Sequence, residues 1–194
     1  MVAETPRRAL GHTGGMAAIA APTLSDGVVT LRPLAPSDVP AIVAACQDPE
    51  IPRWTEVPSP YTREDADRFL AISATEARAG EGIALAVAEP GGRLIGTVGL
   101  FDLGRAPGHG EIGYWTAAPA RGRGVAVRAV LLLRDWAASA LELTELEILA
   151  HPDNVPSQRV ASRAGFTDTG ELRRHRRRAE HLKVFTWPAP ASSG

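Results

Sequence analysis

The run Arg121-Gly122-Arg123-Gly124-Val125-Ala126 joins a strand to a long apolar helix, and this junction limits what the chain can fold into. Upstream, Ile112-Gly113-Tyr114-Trp115 ends a segment rich in β-forming residues. Downstream, Val127 to Leu141 has apolar residues broken mainly by Arg128, Arg134, Asp135 and Ser139, which predicts a helix. Two glycines and an alanine between them let the backbone turn sharply and come close to a ligand. The first turn of the helix then points unpaired N–H groups and the positive end of its dipole into the gap. Such a junction suits a phosphate, and two arginines flank it. The spacing is neither Gly-x-Gly-x-x-Gly nor a Walker loop, since no Gly-Lys-Ser/Thr follows. The motif therefore points to an anionic cofactor carrying a pyrophosphate. Its bland alternative is a glycine-containing connector with solvated arginines.

Around this junction the rest of the chain reads as one mixed domain. Gly27 to Arg32 is a first strand, stopped by Pro33. Ser37 or Asp38 N-caps a helix running toward Asp48. Pro49 to Tyr61, with four prolines, Trp54 and Tyr61, is a loop. Thr62 opens a second helix with Asp65 in the capping-box position. Ile83–Ala88 and Arg93–Leu100 form a hairpin through Glu89-Pro90-Gly91-Gly92. A strand at Glu111–Trp115 precedes the turn and long helix. Thr144 to Ala150 is another strand, with Glu145 and Glu147 alternating against Leu146 and Ile148. Asn154 caps a short helix ended by Gly165, and Leu172–Arg178 and His181–Trp187 close the chain as a hairpin. Residues 1–26 read as a flexible leader, with Met16 a possible second start. Residues 27–187 read as the domain and 188–194 as a tail.

Charge and cysteine use narrow the function classes. With 22% charged and 44% hydrophobic residues over 194 positions, the profile is that of a globular protein. A formal net charge of −1 argues against a general nucleic-acid binder. Arg173 to Lys183 does hold five arginines and a lysine against Glu180, but few aromatics interleave to stack bases. Cys46 is the only cysteine, so no intrachain disulfide is possible and a reducing, cytoplasmic setting is the simplest reading. Cys46 itself reads as a small core residue. No segment reaches the roughly 18 apolar residues that a membrane span needs.

Four stretches, taken in order, carry a resemblance. They are Leu31-Arg32-Pro33-Leu34; Glu111-Ile112-Gly113-Tyr114-Trp115; the turn from Arg121 to Ala126; and Asn154-Val155-Pro156-Ser157 leading to Ala164-Gly165-Phe166. The turn fits a Gln/Arg-x-x-Gly-x-Gly/Ala pattern at Arg121, Gly124 and Ala126. Together these stretches resemble the GNAT superfamily of acyl-CoA-dependent N-acetyltransferases, and within it the RimJ/RimL-like branch of ribosomal-protein N-terminal acetyltransferases. The resemblance implies an α/β (α+β) GNAT fold: a twisted, mixed, mostly antiparallel sheet flanked by helices. Its two central parallel strands, here Glu111–Trp115 and Thr144–Ala150, would splay apart for acyl-CoA.

The resemblance also implies roles. Acetyl-CoA is the cosubstrate, no metal is required, and the acceptor is an amine on a protein N-terminus or a small molecule. The pantetheine arm would pair with backbone groups at Trp115, Thr116 and Ala117, and with the side-chain amide of Asn154, which also suits an N-cap. Backbone amides from Gly122 through Arg123, Gly124 and Val125 to Ala126 would hold the pyrophosphate, with charge from Arg121 and Arg123. Glu111 is the candidate base for the amine, and His109, two residues earlier, a rival on the same face. Ser157 is the candidate acid toward the CoA thiolate and also lies in the cofactor site. Trp54 and Tyr61 would line the acceptor side or pack in the core. A basic Arg173–Lys183 segment departs from the family's usual acceptor groove and suits an acidic acceptor or an inert surface. Two other functions stay open, an antibiotic or polyamine acetyltransferase and a catalytically silent acyl-CoA sensor, and each reading allows a monomer or a homodimer.

Overall fold

The computed structural model describes residues 17–103, 105–174 and 180–188. Eight strands form one sheet in the order β1-β2-β3-β4-β5-β6-β8-β7. The strands are β1 (Leu24–Ser25), β2 (Thr30–Pro33), β3 (Ile83–Ala88), β4 (Leu94–Phe101), β5 (His109–Thr116), β6 (Glu145–Ala150), β7 (Thr167–Arg174) and β8 (His181–Pro188). Five helices accompany them: α1 (Val39–Cys46), α2 (Glu50–Trp54), α3 (Arg63–Ala79), α4 (Val125–Ala140) and α5 (Val155–Arg163). Every neighbouring strand pair is antiparallel except β5 with β6, which is parallel. This is the mixed, mostly antiparallel sheet that the resemblance implies.

Alternation along β5 divides its side chains between two cores. Ile112 and Tyr114 pack with α4 and α5, whose Val125, Ala129, Val130, Leu133, Ala137, Ala161 and Ala164 are buried. Trp115 packs on the other face, with α1 and α3, against Val39, Ile42, Cys46 and Ala66. Burial pushes the Cys46 thiol up to about 12, so it is packing material and not a nucleophile.

Several elements differ from the sequence expectation. Residues ahead of Gly27 take part in the fold: Ile19 is buried and donates its N–H to Ala77 O, and Leu24–Ser25 pairs with β2. The Pro49–Tyr61 loop contains the helix α2. Asp48 Oδ1 accepts the Glu50 N–H, and Pro52 falls in the first turn, where its missing N–H has no intrahelical partner to lose. Asp38 does not cap α1 with its side chain. Its carboxylate turns back to the Ala35 N–H and to Arg32. Gly124, at φ 76°, is the N-cap of α4, so the helix opens two residues before Val127. β7 starts at Thr167 instead of Leu172, and residues 175–178 of the expected strand lie outside the described residues.

Candidate active site

The parallel pairing of β5 and β6 covers only His109 with Glu145, Gly110 with Leu146 and Glu111 with Glu147. Beyond Glu111, β5 stays paired with β4 through Thr116, and β6 stays paired with β8 through Ala150. The two central strands therefore part and leave a gap. Ala117 N–H goes to Ile95 O on β4. Alternation of backbone groups then turns Thr116 and Tyr114, not Trp115 and Ala117, toward the gap. Of the expected Trp115–Ala117 backbone site, only Thr116 faces the opening, and its carbonyl already accepts Arg121 Nε at 3.0 Å.

One continuous cleft runs through this gap. It is lined by Glu111, Tyr114, Trp115, Thr116, Arg121, Gly122, Gly124, Val125, Ala126, Asn154 and Ser157. Ala117 and Arg123 are not part of that lining. Gly122 and Gly124 both have positive φ, 73° and 76°, and a Cβ built on either meets nothing within 4 Å. The turn thus holds open a concave backbone surface. Arg128 N–H makes the first helical bond of α4, to Gly124 O, so the amides of Val125, Ala126 and Val127 have no acceptor within the helix. A pyrophosphate suits this surface, since it would accept those amides at the positive end of the helix. Arg121 is less available than its sequence position suggests: its Nη1 stands 2.6 Å from Asp48 Oδ2. It braces the turn against the start of α2.

At the inner end of the cleft, Tyr114 Oη lies 2.9 Å from Ser157 Oγ and donates to Ser157 O at 3.2 Å. Burial pushes the Tyr114 hydroxyl up to about 12 against the effect of its bond to Ser157, so it stays protonated at neutral pH. Sequence reasoning missed Tyr114 as a functional residue. Its even parity on β5, opposite to Glu111, was the available signal, because that parity directs it at the helix bearing Ser157. Asn154 caps α5 by accepting Ser157 N–H at 3.2 Å, which leaves its amide NH₂ group to donate into the cleft.

Glu111 is half-buried on the opposite face of β5, where the cleft broadens between α2, α3 and β4. Trp54 and Tyr61 line this broader half. Trp54 also tilts against the His151 ring at 5.4 Å between centroids, and Tyr61 is buried in the core. His109 does share the strand with Glu111, but it is committed elsewhere. Its Nε2 lies 3.1 Å from Glu147 Oε2, which Arg173 clamps with two nitrogens at 2.5 and 3.1 Å. Glu147 was expected on a polar face; at 3% exposure it is buried beneath the β7–β8 hairpin. Burial raises its carboxyl, and Arg173 and His109 outweigh that and hold it below the usual range. Arg173 also bonds Glu171, and Lys183 pairs with Asp168, so the described ends of the basic run are neutralised. Residues 175–179 of that run lie outside the described residues.

A β-α-β unit that parts around an amide-rich helix start is the architecture of an acyl-CoA acetyltransferase. The model of the acetyltransferase (GNAT) domain matches residues 29–167, and the chain belongs to that family. Among individual relatives, it is 35% identical over 82 residues to YdaF of Bacillus subtilis (strain 168), provisionally named a ribosomal N-acetyltransferase. That match spans 42% of this chain and 45% of YdaF, less than half of either. The uncharacterized N-acetyltransferase p20 of Bacillus licheniformis is 28% identical over 155 residues, 78% of this chain and 85% of p20. Among solved structures, Mycobacterium smegmatis RimJ in complex with CoA-disulfide superposes with a TM-score of 0.75 at 21% identity, covering 87% of each chain. At that identity the likeness is one of fold.

Proposed function

We propose that this chain transfers an acetyl group from acetyl-CoA to a primary amine, by direct attack of the amine in a ternary complex. The observation that carries the reading is the single cleft that joins the Gly122–Ala126 turn, the Tyr114–Ser157 pair and Glu111 through the gap between β5 and β6. The turn supplies amides for the pyrophosphate. Gap-facing groups of β5 and the Asn154 NH₂ supply partners for an amide-bearing arm. Glu111 accepts a proton from the ammonium form of the acceptor, which frees a lone pair for the thioester carbonyl. As the carbon–sulfur bond breaks, the Ser157 hydroxyl faces the departing thiolate, with Tyr114 Oη, 2.9 Å from Ser157 Oγ, fixing its position. Serine is a weak acid, so this end of the reaction relies on hydrogen bonding more than on full proton transfer.

A protein N-terminal amine is the acceptor favoured by the ribosomal-protein names among similar proteins, YdaF among them. A single buried cysteine fits a cytoplasmic setting, and no helix of the described residues is long and apolar enough to cross a membrane. The test is amine-dependent release of CoA thiol across a panel of ribosomal N-terminal peptides, polyamines and aminoglycosides, with mass spectrometry of the products. Acetylated product from at least one amine supports the reading. Tight CoA binding with no turnover on any amine would identify a silent acyl-CoA sensor.

A further inference from the structure

β4 and β5 meet the broad half of the cleft with the same face. Their register sets Gly99 opposite Gly113 and Phe101 opposite Glu111. Directly opposed residues of an antiparallel pair hold their Cβ atoms roughly 4.5–5.5 Å apart, so the Phe101 ring and the Glu111 carboxylate leave the sheet side by side. The ring then leans over the two glycines. A Cβ built on Gly99 would stand 2.8 Å from Phe101 Cζ, and one built on Gly113 would stand 3.0 Å from Phe101 Cε2. Gly99 has a second reason to lack a side chain, since its Cβ would also press on Ile83 O at 2.7 Å. Gly113 has none: its φ is not positive, and apart from its chain neighbours its Cβ would meet that ring and nothing else within 4 Å. The missing side chain at Gly113 makes room for Phe101, beside the stretch where β5 parts from β6.

Phe101 lines the cleft with Glu111 and is half-buried there. Other rings of the protein already carry a cation: Arg53 lies 4.4 Å from the centre of Trp54, Arg134 4.9 Å from that of Trp187, and Lys183 5.7 Å from that of Phe185. Among the described residues no cation stands over Phe101 and no second ring pairs with it. Tyr61 and Trp115, the nearest aromatic neighbours in sequence on this side of the sheet, belong to the α1–α3 core. An uncommitted ring next to a carboxylate suits an ammonium group, which is drawn by the quadrupole of the one and the charge of the other.

Building on the acetyl-transfer reading above, on which this rests, we propose that Phe101 selects the acceptor in its protonated form, holding the ammonium against its ring beside Glu111. The amine reaches the thioester through the gap between β5 and β6, so it passes this ring first. There Glu111 takes one N–H proton. The neutral amine that results has a lone pair for the carbonyl carbon and a weaker hold on the ring. Phe101 therefore binds the ground state more than the transition state, and its loss falls on KM and not on kcat. An uncharged molecule of the same shape gains only packing from the ring.

The experiment is an NMR titration of the CoA-saturated full chain with choline, whose trimethylammonium group cannot be acetylated, and with its neutral isostere, the alcohol that carries a tert-butyl group in place of trimethylammonium. It is run on the native protein and on Phe101→Leu, with KM and kcat for the best amine of the panel alongside. The native protein is expected to prefer choline, and Phe101→Leu to lose about 2–30-fold of that preference, the worth of a cation on an aromatic face. KM for the amine should rise by a similar factor with kcat held, and an unchanged CoA affinity reports that the variant is folded. A native protein with no preference for choline overturns the proposal. So does a variant that keeps the full preference, or one in which choline and the isostere weaken alike, since that is lost packing. If the native protein acetylates no amine, the acetyl-transfer reading fails by itself, and the choline titration still decides whether Phe101 holds a cation.

Discussion

Replacing Arg32 with methionine removes a charge that the interior of this protein depends on. Asp38 is 4% exposed. Arg32 grips its carboxylate with Nη1 to Oδ2 at 2.8 Å and Nη2 to Oδ1 at 2.7 Å. The same guanidinium bonds Gly92 O at 3.0 Å, tying the β3–β4 hairpin to β2. In Arg32→Met the aliphatic stem persists, but Asp38 keeps only the Ala35 N–H, at 2.9 Å. Leaving a buried carboxylate without its partner costs about 3–5 kcal/mol, against about 1 kcal/mol for an exposed pair. For a domain of this size that lowers the melting temperature by roughly 6–20 °C. Adding Asp38→Asn to Arg32→Met removes the stranded charge, so the double variant should be more stable than Arg32→Met alone. Urea denaturation followed by circular dichroism of the native protein, both single variants and the double variant would give the four free energies of the cycle. Turnover per folded molecule should hold, because neither residue lines the cleft. A loss below about 1 kcal/mol for Arg32→Met would refute the reasoning, as would strict additivity in the cycle.

The remaining expectations concern chemistry and pH. Glu111→Gln should lower turnover by roughly 10²–10⁴-fold and flatten the acidic limb of the rate profile, with CoA affinity nearly unchanged; near-native turnover with that limb in place would make the carboxylate structural. Ser157→Ala and Tyr114→Phe should each cost about tenfold in turnover, and the double variant little more, because the two hydroxyls form one hydrogen-bonded pair; fully multiplicative losses would deny that they act as a unit. Gly124→Val forces a β-branched residue to φ 76°, straining the fold by about 1–2 kcal/mol, and should abolish most of the thermal stabilisation that CoA gives the native protein. Undiminished CoA stabilisation would move the phosphate site elsewhere. In acid, the folded-state values of Asp38 and Glu147 lie below their unfolded ones, because arginine partners outweigh burial. Their stabilisation is complete above the unfolded values near about 4 and is lost as pH falls through the folded ones. Denaturant melts at pH 7, 5 and 3 should show the loss only at the lowest pH.

What the sequence made legible was local. The Arg121–Ala126 turn and the Asn154-x-x-Ser157 cap are decided by neighbours within a few residues, and each appears where glycine conformation and capping chemistry place it. Glu147 shows the limit of periodicity. Alternation sets the face of β6 that it occupies, but not that Arg173, far along the chain, would cover that face and pair with it. Arg32 is similar: it belongs to a recognisable Leu-Arg-Pro-Leu run, yet its purpose depends on where Asp38 comes to rest. Prolines hid α2, since they read as breakers unless the first-turn exemption applies. Tyr114 was visible as a strand residue but not as the partner of Ser157, because that contact crosses 43 positions of sequence.

The short β5–β6 ladder also governs how fast backbone hydrogens trade with water. Along β5, Gly113 and Trp115, and Ala117 just past it, aim their amides at β4, whereas Tyr114 and Thr116 aim theirs into the gap. A single strand is thus locked on one edge and wet on the other, with protection alternating residue by residue. Amides on the wet edge can exchange without any unfolding of the strand, while their neighbours must wait for β4 and β5 to separate. Anything amide-like that fills the gap converts this alternating strand into a uniformly slow one, and the free protein carries that possibility in the geometry of three paired residues.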